Sequence, residues 1–398
     1  MKVRYLLLNA YGKGGTIRTV FNQAGSMAAA GHDVEVISVL RRRESPWFPL
    51  DRRVRVTAIV DSYGAPAAPE PSAWTARFSN RGRPSRFVPN GEVSREHFTR
   101  DVETQVIRWM ARLRGGVLVT TRPSLNILAA QHASTAVVRV GQEHMNLATH
   151  HPDVRAAIVR LYDRFDAVAV LTERDRDEYA RLLPGTRVVC IPNAVHTGAK
   201  RQSTYANRIV IAAGRLKNQK GFDYLIPAFA QAVATRPDWQ LRIFGTGDKE
   251  PQLRRLIERH HVYNSAFLMG FTPRLDDELA KASMFVLSSR FEGLPMVMIE
   301  SMTHGLPVVS YDCPTGPADV LTDGREGLLV PPKNVDALAV AMGQMMDDEG
   351  MRADMGTAAL AKSRKYAPEA VHPRWEELFA SLAAERSAPR RKLVRTAA

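Results

Sequence analysis

The stretch RFEGLPMVMIESMTHGLPVVSYDCPTGP, residues 290–317, decides how the rest of the chain is read. An apolar strand, MFVLSS, leads into it. A short loop, RFEGLP, follows, then an apolar segment from about Pro295 to His304 that stops at Gly305. Pro295 suits the first position of a helix, where its missing N–H is not needed, and glycine suits the exit. A strand, a loop and a helix in this order belong to an alternating α/β series, the pattern of a parallel sheet. Two carboxylates punctuate the stretch. Glu292 stands in the loop, and Glu300 lies eight positions on, in an otherwise apolar helix. A buried carboxylate without donors costs several kcal/mol. Glu300 is therefore expected to meet either an internal cation or the paired hydroxyls of a ligand.

The same alternation runs through the whole chain. VRYLLLN, AYGKGGTIR, TVFNQAGSMAAAG and HDVEVISVL form an opening βαβ unit with a Gly-rich turn. GVLVTT, AVVRVGQEH, AVAVLT and VVCIPNAV continue the series as strands separated by helices. Polar, small residues at 198–207 read as a linker. RIVIAAGRL then starts a second series: WQLRIFGTG, AFLMGF, MFVLSS and GLLVPP as strands, with amphipathic helices between them. The expected domains are 1–197, 198–367 and a basic tail at 386–398. A final helix, about 368–385, is expected to pack back on the first domain. The segment from about 60 to 92, rich in Pro, Ser, Ala and Arg, reads as a long mobile loop. The fold class is α/β, two doubly wound, Rossmann-like domains facing across a cleft, with ligands expected at the carboxyl ends of the strands.

Composition narrows the function. The chain has 398 residues, with 45% hydrophobic and 24% charged residues, which suits a globular protein of two domains. No apolar run approaches the roughly 18 residues of a membrane span, and two cysteines cannot build a disulfide framework or a four-ligand metal site. A reducing cytoplasmic location is expected, peripheral to the inner membrane face if the basic surface binds lipid. The net charge of +14 gathers in Arg41–Arg114 and in the tail. Trp74, Phe78 and Phe87 lie among the first group. An anionic partner fits this pattern: a lipid surface or an anionic polymer. No nucleic-acid motif is present.

Several loops share the carboxyl edge of the second series. GRLKNQKG offers Arg215 and Lys220 to a diphosphate. FGTGD, with Gly245, is a further turn. MGFTP, with Gly270 and Phe271, could present backbone groups to a base. In the first series, Gly14 and Gly15 open a helix, and His144 ends a strand in QEHMN. Cys313 reads as a packing residue. Asp276 and Asp277 are adjacent, which is not the Asp-x-Asp spacing of a metal-binding transferase.

GRL with Lys220, FGTG, SSRFEGLP and Glu292-x7-Glu300 resemble the retaining GT-B glycosyltransferases of family 4. The resemblance extends over nearly the whole chain through GKGGT, VGQEH and AVLTERD…IPNAV. It implies a metal-independent enzyme without a cofactor. A hexose or N-acetylhexosamine would pass from a nucleoside diphosphate to a glycan, lipid-linked or polyanionic acceptor, with UDP expected from its frequency in that family. It implies that Glu300 holds the ribose, that Glu292 lies against the donor sugar, and that Arg215 and Lys220 hold the diphosphate. Gly14 and Gly15 would face donor phosphate and acceptor, and His144 the donor sugar. Gly293, Leu294 and Pro295 complete the donor-side loop. The DCPTGP loop resembles members that build bacterial surface polysaccharides. A nucleotide-sugar-binding partner without activity, or a phosphorylase or epimerase on the same shell, are the alternatives.

Overall fold

A computed structural model describes residues 1–64, 82–196, 198 and 200–387. Trp74, Phe78, Arg81 and the tail after Ser387 lie outside the described residues. The chain divides into two compact units. The first comprises Met1–Leu171, Asp175–Ile191 and the chain from His372, and the second Thr172–Arg174 and Pro192–Val371.

The first unit holds a seven-stranded parallel sheet. Its strands are β1 (Lys2–Leu7), β2 (Asp33–Arg41), β3 (Arg55–Asp61), β4 (Val117–Thr120), β5 (Val138–Gln142), β6 (Ala167–Val170) and β7 (Val188–Cys190). The order is β3-β2-β1-β4-β5-β6-β7, so the winding reverses between β1 and β4. Continuous apolar strands are buried here because helices cover both faces. Val3, Tyr5, Leu6, Val117, Leu118 and Val119 are inaccessible. The helix Pro368–Ser387 returns to this unit from His372. It buries Trp375, Leu378, Phe379 and Leu382. Arg386 pairs with Asp166 at 2.9 Å, and Glu385 with Arg187 at 3.1 Å.

The second unit holds six parallel strands: β8 (Ile209–Ala213), β9 (Gln240–Phe244), β10 (Ala266–Gly270), β11 (Met284–Leu287), β12 (Val308–Tyr311) and β13 (Gly327–Val330). Their order, β10-β9-β8-β11-β12-β13, reverses between β8 and β11. In an open α/β sheet such a reversal marks the place at the carboxyl edge where ligands bind.

Three expectations need correction. The second unit begins at Pro192 rather than 198, because the Val195 N–H donates to the Tyr366 carbonyl at 2.7 Å. The stretch read as a linker is anchored: the Ser203 N–H donates to His304 O and the Tyr205 hydroxyl to Gly305 O. Part of the segment read as a mobile loop is also fixed. The Glu103 carboxylate receives the Arg86 and Phe87 N–H groups, and Val88 is buried.

Candidate functional site

At the reversal of the second sheet, the loop after β8 and the loop after β11 lock together. The Arg290 N–H donates to Gln219 O at 2.8 Å, and the Ser288 hydroxyl to Lys220 O at 2.9 Å. Gly221 has a left-handed backbone (φ +62°), and a Cβ there would lie 2.0 Å from Ser288 O. Only glycine lets the two backbones approach so closely. The turn after β9 joins them. Leu216 N–H donates to Thr246 O, and Gly245 N–H to Gly270 O. GRLK, FGTG and the end of β10 thus form one hydrogen-bonded rim.

This packing delivers an ammonium to a carboxylate. Lys220 Nζ lies 2.6 Å from Glu292 Oε1, and their side chains are 15% and 7% exposed. Gly214 makes room for the lysine, since a Cβ there would lie 3.0 Å from Lys220 Cε. The Ser289 hydroxyl donates to the same Glu292 oxygen at 2.6 Å. The Asp312–Pro317 loop closes over the glutamate from the other side. Thr315 Oγ1 donates to Glu292 O at 2.6 Å, and a Cβ on Gly316 (φ +97°) would meet Gly293 O at 2.6 Å. A lysine ammonium carries three N–H donors, so one serves Glu292 and two remain for anionic oxygens. Arg215 differs. It is exposed, and its guanidinium makes no hydrogen bond or ion pair among the described residues.

Glu300 is not where its neighbours suggest. The helix is Met296–Met302, with Pro295 just before its first turn. Met298, Ile299, Ser301 and Met302 are buried, whereas Met296, Val297 and Glu300 are half-exposed. Residues three and four apart share a helix face, so these three form one accessible strip. The buried carboxylate of the pair is Glu292. The amides that open this helix are engaged: Met296 N–H donates to Leu294 O, and Met298 N–H to Pro295 O. Leu294 is buried, and Phe271, at the end of β10, is 72% exposed.

Two other residues have structural roles. Asp276 bonds Lys200 at 2.5 Å and His304 at 3.0 Å. Cys313 is fully buried, and burial, followed by the nearby Glu292 and Asp312, pushes its thiol up to about 12. It is no nucleophile.

In the first unit, Gly14 precedes the helix Gly15–Ala29 with extended backbone. No atom lies within 4 Å of a Cβ placed on Gly15, and for Gly14 the nearest is Ile17 Cδ1 at 3.8 Å. The fold itself therefore does not demand a glycine at either position, unlike Gly221 and Gly245. His144 follows β5. Burial, with a smaller contribution from the Arg122 guanidinium, pushes its pKa down to about 4. Its Nε2 is buried without a hydrogen-bond partner among the described residues.

The residue before His144 escaped the sequence reading. Glu143 is 1% exposed. Its Oε1 accepts from Asn126 Nδ2 at 2.7 Å and from the Tyr162 hydroxyl at 2.5 Å, and Oε2 lies 3.7 Å from His150 Nε2. Burial outweighs these donors and raises its pKa to about 7. Glu92, also buried, pairs with Arg122 at 3.3 Å beside it. The QEH triplet was the available signal, but it drew attention only to the histidine.

Residues 199–362 match the family described as glycosyl transferases group 1. That part of the chain belongs to this family. Over 98% of its length, the chain is 35% identical to an exopolysaccharide phosphotransferase of Streptomyces coelicolor, and it spans 42% of that protein. It is 26% identical to an amylovoran biosynthesis glycosyltransferase of Erwinia amylovora, over 69% of this chain and 80% of that one. Among solved structures, a point mutant of S. aureus TarM, crystallised with Fondaparinux, α-GlcNAc-glycerol and UDP, superposes with a TM-score of 0.75 at 16% identity, covering 95% of this chain and 99% of that one. The pneumococcal O-GlcNAc transferase GtfA gives 0.73 at 14% identity, over 96% and 99%. These likenesses establish a GT-B fold for both units. No described helix is long and apolar enough to cross a membrane.

Proposed function

We propose that this chain is a retaining glycosyltransferase of family 4. It moves a hexose or N-acetylhexosamine from a nucleoside diphosphate, UDP being expected, to a hydroxyl of a glycan or polyol-phosphate acceptor. The observation that carries the reading is the Lys220–Glu292 pair at the strand-order reversal, 2.6 Å apart and rimmed by interlocked glycine turns. Lys220 and the uncommitted Arg215 suit the diphosphate. As the glycosidic bond breaks, negative charge grows on the β-phosphate, and the held Lys220 and the exposed Arg215 stabilise that charge more than they stabilise the ground state. Glu292 holds Lys220 in place and lies against the donor sugar. Glu300, on an open strip with Met296 and Val297, can accept both ribose hydroxyls. Phe271 offers a face for the base. His144, neutral at pH 7, can hydrogen-bond the sugar without adding charge. Retention follows when the acceptor hydroxyl attacks from the leaving-group side and the departing phosphate takes its proton. Two relatives support the acceptor class by name: a poly(glycerol-phosphate) α-glucosyltransferase of Bacillus subtilis and a poly(ribitol-phosphate) α-N-acetylglucosaminyltransferase of Staphylococcus aureus.

Thermal shift against a panel of nucleotides tests the donor site. One nucleoside diphosphate is expected to raise the melting temperature of the wild type, and Glu300→Ala is expected to lose most of that shift. Glu300 is half-exposed, so the variant's own melting point should change little. A full shift in Glu300→Ala returns the residue to a surface role. Gly15→Ala gives a second check. The open space around Gly15 predicts unchanged or slightly raised stability, by up to about 1 kcal/mol. Transfer should fall at least about tenfold as the methyl enters space meant for substrate. Full activity in that variant removes Gly15 from the site.

A further inference from the structure

Between Asp33 and Asp61, three of the six arginines have carboxylate partners. Arg41 pairs with Asp61 at 2.9 Å, Arg53 with Asp51 at 2.7 Å, and Arg55 with Asp33 at 3.0 Å. Two nearby cations are held otherwise. Lys13 Nζ stands 3.6 Å from the centroid of the Trp47 ring, and the Arg43 guanidinium carbon stands 4.9 Å from it. Neither side chain has a carboxylate within ion-pair distance among the described residues. The difference matters chemically. An ion pair cancels the charge it restrains, whereas an aromatic ring restrains a cation and leaves its charge available. Lys13, Arg43 and the exposed Arg42 between Arg41 and Arg43 therefore present a fixed positive patch.

The position of the patch gives it meaning. Lys13 directly precedes Gly14 and Gly15, around which there is open space. The loop is tied to β2 by Ala10 N–H on Ser38 Oγ at 2.9 Å and by Leu40 N–H on Leu8 O at 3.0 Å. The patch thus lies at the carboxyl edge of β1 and β2, beside the glycine turn. Its exposed apolar surface is aromatic only. Among residues 2–63, the exposed large hydrophobics are Trp47, at 46%, and Tyr63, at 47%, the latter beside Arg41. Aromatic faces suit the C–H surface of a sugar or polyol. A surface that enters a bilayer adds aliphatic side chains, and the described residues 2–63 expose none of the large ones.

We propose that Lys13, Arg43 and Trp47 form an acceptor subsite, and that its occupant is a phosphodiester-linked polyol or glycan chain rather than a lipid surface. The cations take the phosphates, and the part of the Trp47 ring that they leave accessible borders the carbon skeleton between them. The proposal rests on the glycosyltransferase reading above and assigns its acceptor to named side chains of the first unit.

The test is binding of a synthetic oligo(glycerol phosphate) to the full chain without donor, followed by calorimetry. Maltohexaose serves as the neutral control, and phosphatidylcholine vesicles containing phosphatidylglycerol as the lipid control. The oligomer is expected to bind and to weaken as salt rises, and maltohexaose is expected not to bind. Lys13→Ala with Arg43→Ala should weaken oligomer binding at least about tenfold. Trp47→Leu keeps both charges and should still weaken it several-fold. UDP-induced thermal stabilisation should be the same in all these variants as in the wild type. Oligomer binding unchanged in the double variant overturns the proposal. Unchanged binding in Trp47→Leu does so too, since diffuse charge would then suffice. Vesicle binding that depends on Lys13 and Arg43, without oligomer binding, moves the site to a lipid surface and overturns it as well. A wild type that UDP does not stabilise counts against the donor reading alone, because the oligomer measurement needs no donor.

Discussion

Lys220→Met should abolish sugar transfer, by about a thousandfold, and should also cost about 3 kcal/mol of stability in the second unit. Both effects have one source. The methionine removes the cation that faces growing charge on the leaving phosphate, and a single preorganised donor of this kind is worth about 10²–10³ in rate. It also leaves Glu292, 7% exposed, without its ammonium partner. Breaking a buried pair from one side costs about 3–5 kcal/mol, because a charge is stranded. Ser289 Oγ still donates to the carboxylate at 2.6 Å, which places the cost at the lower end. The two effects can be separated. Adding Glu292→Gln to Lys220→Met removes the stranded charge and should restore most of the stability without restoring the rate. Arg215→Ala is the complementary variant. Its side chain is exposed, so stability should stay within about 0.5 kcal/mol while the rate falls about a hundredfold. Denaturant titration and steady-state transfer assays read both quantities. An active Lys220→Met enzyme would show that the pair is scaffold and that the diphosphate is held elsewhere.

Much of this site was visible in the sequence, because its loops are marked by glycines whose need is local. Gly214, Gly221, Gly245 and Gly316 each sit where a Cβ would press on a named backbone or side-chain atom, and such positions show as Gly-rich turns after apolar strands. The two-sheet fold was legible for a similar reason, since doubly covered parallel strands leave continuous apolar runs. β3 was not legible: its residues are half-exposed or exposed and lie in an arginine-rich stretch, so neither the apolar run nor a clean alternation appears. The exposure of Glu300 was misjudged because apolar neighbours on a seven-residue helix do not say which face meets the sheet. Pairings between distant residues were also hidden. Lys220 and Glu292 are 72 positions apart. Both could be nominated for a ligand, but nothing in the sequence said that they hold each other. Glu143 was missed for the same reason: its partners Asn126 and Tyr162 lie 17 and 19 positions away, and a glutamate after a strand reads as a solvated rim residue.

Glu143→Gln should make the first unit more stable than the wild type above pH 7, with no advantage below pH 4.5. The folded-state pKa of Glu143 is raised from 4.5 to about 7, chiefly by burial. Between those values the folded state keeps a proton that the unfolded state has released. Stability must then fall as pH rises through this window, reaching a cost of about 3 kcal/mol once the buried carboxyl ionises. Glutamine does not titrate. Its carbonyl can still accept from Asn126 and Tyr162, so the variant escapes the cost. His144 contributes the opposite slope. Its pKa is lowered to about 4 by burial, then by Arg122, so the unfolded state binds the extra proton below pH 6.5 and stability falls with acid. His150, 3.7 Å from Glu143, is likewise held down by burial. Both histidines remain in the variant, so their slopes cancel when the two proteins are compared at each pH. The stability of the Glu143→Gln variant minus that of the wild type should therefore grow by about 3 kcal/mol between pH 4 and pH 8. Denaturant melts across that range measure it. A difference that does not change with pH would mean that the Glu143 carboxyl takes up its proton in the folded protein as it does in the unfolded chain, with water or a cation supplying what Asn126 and Tyr162 do not.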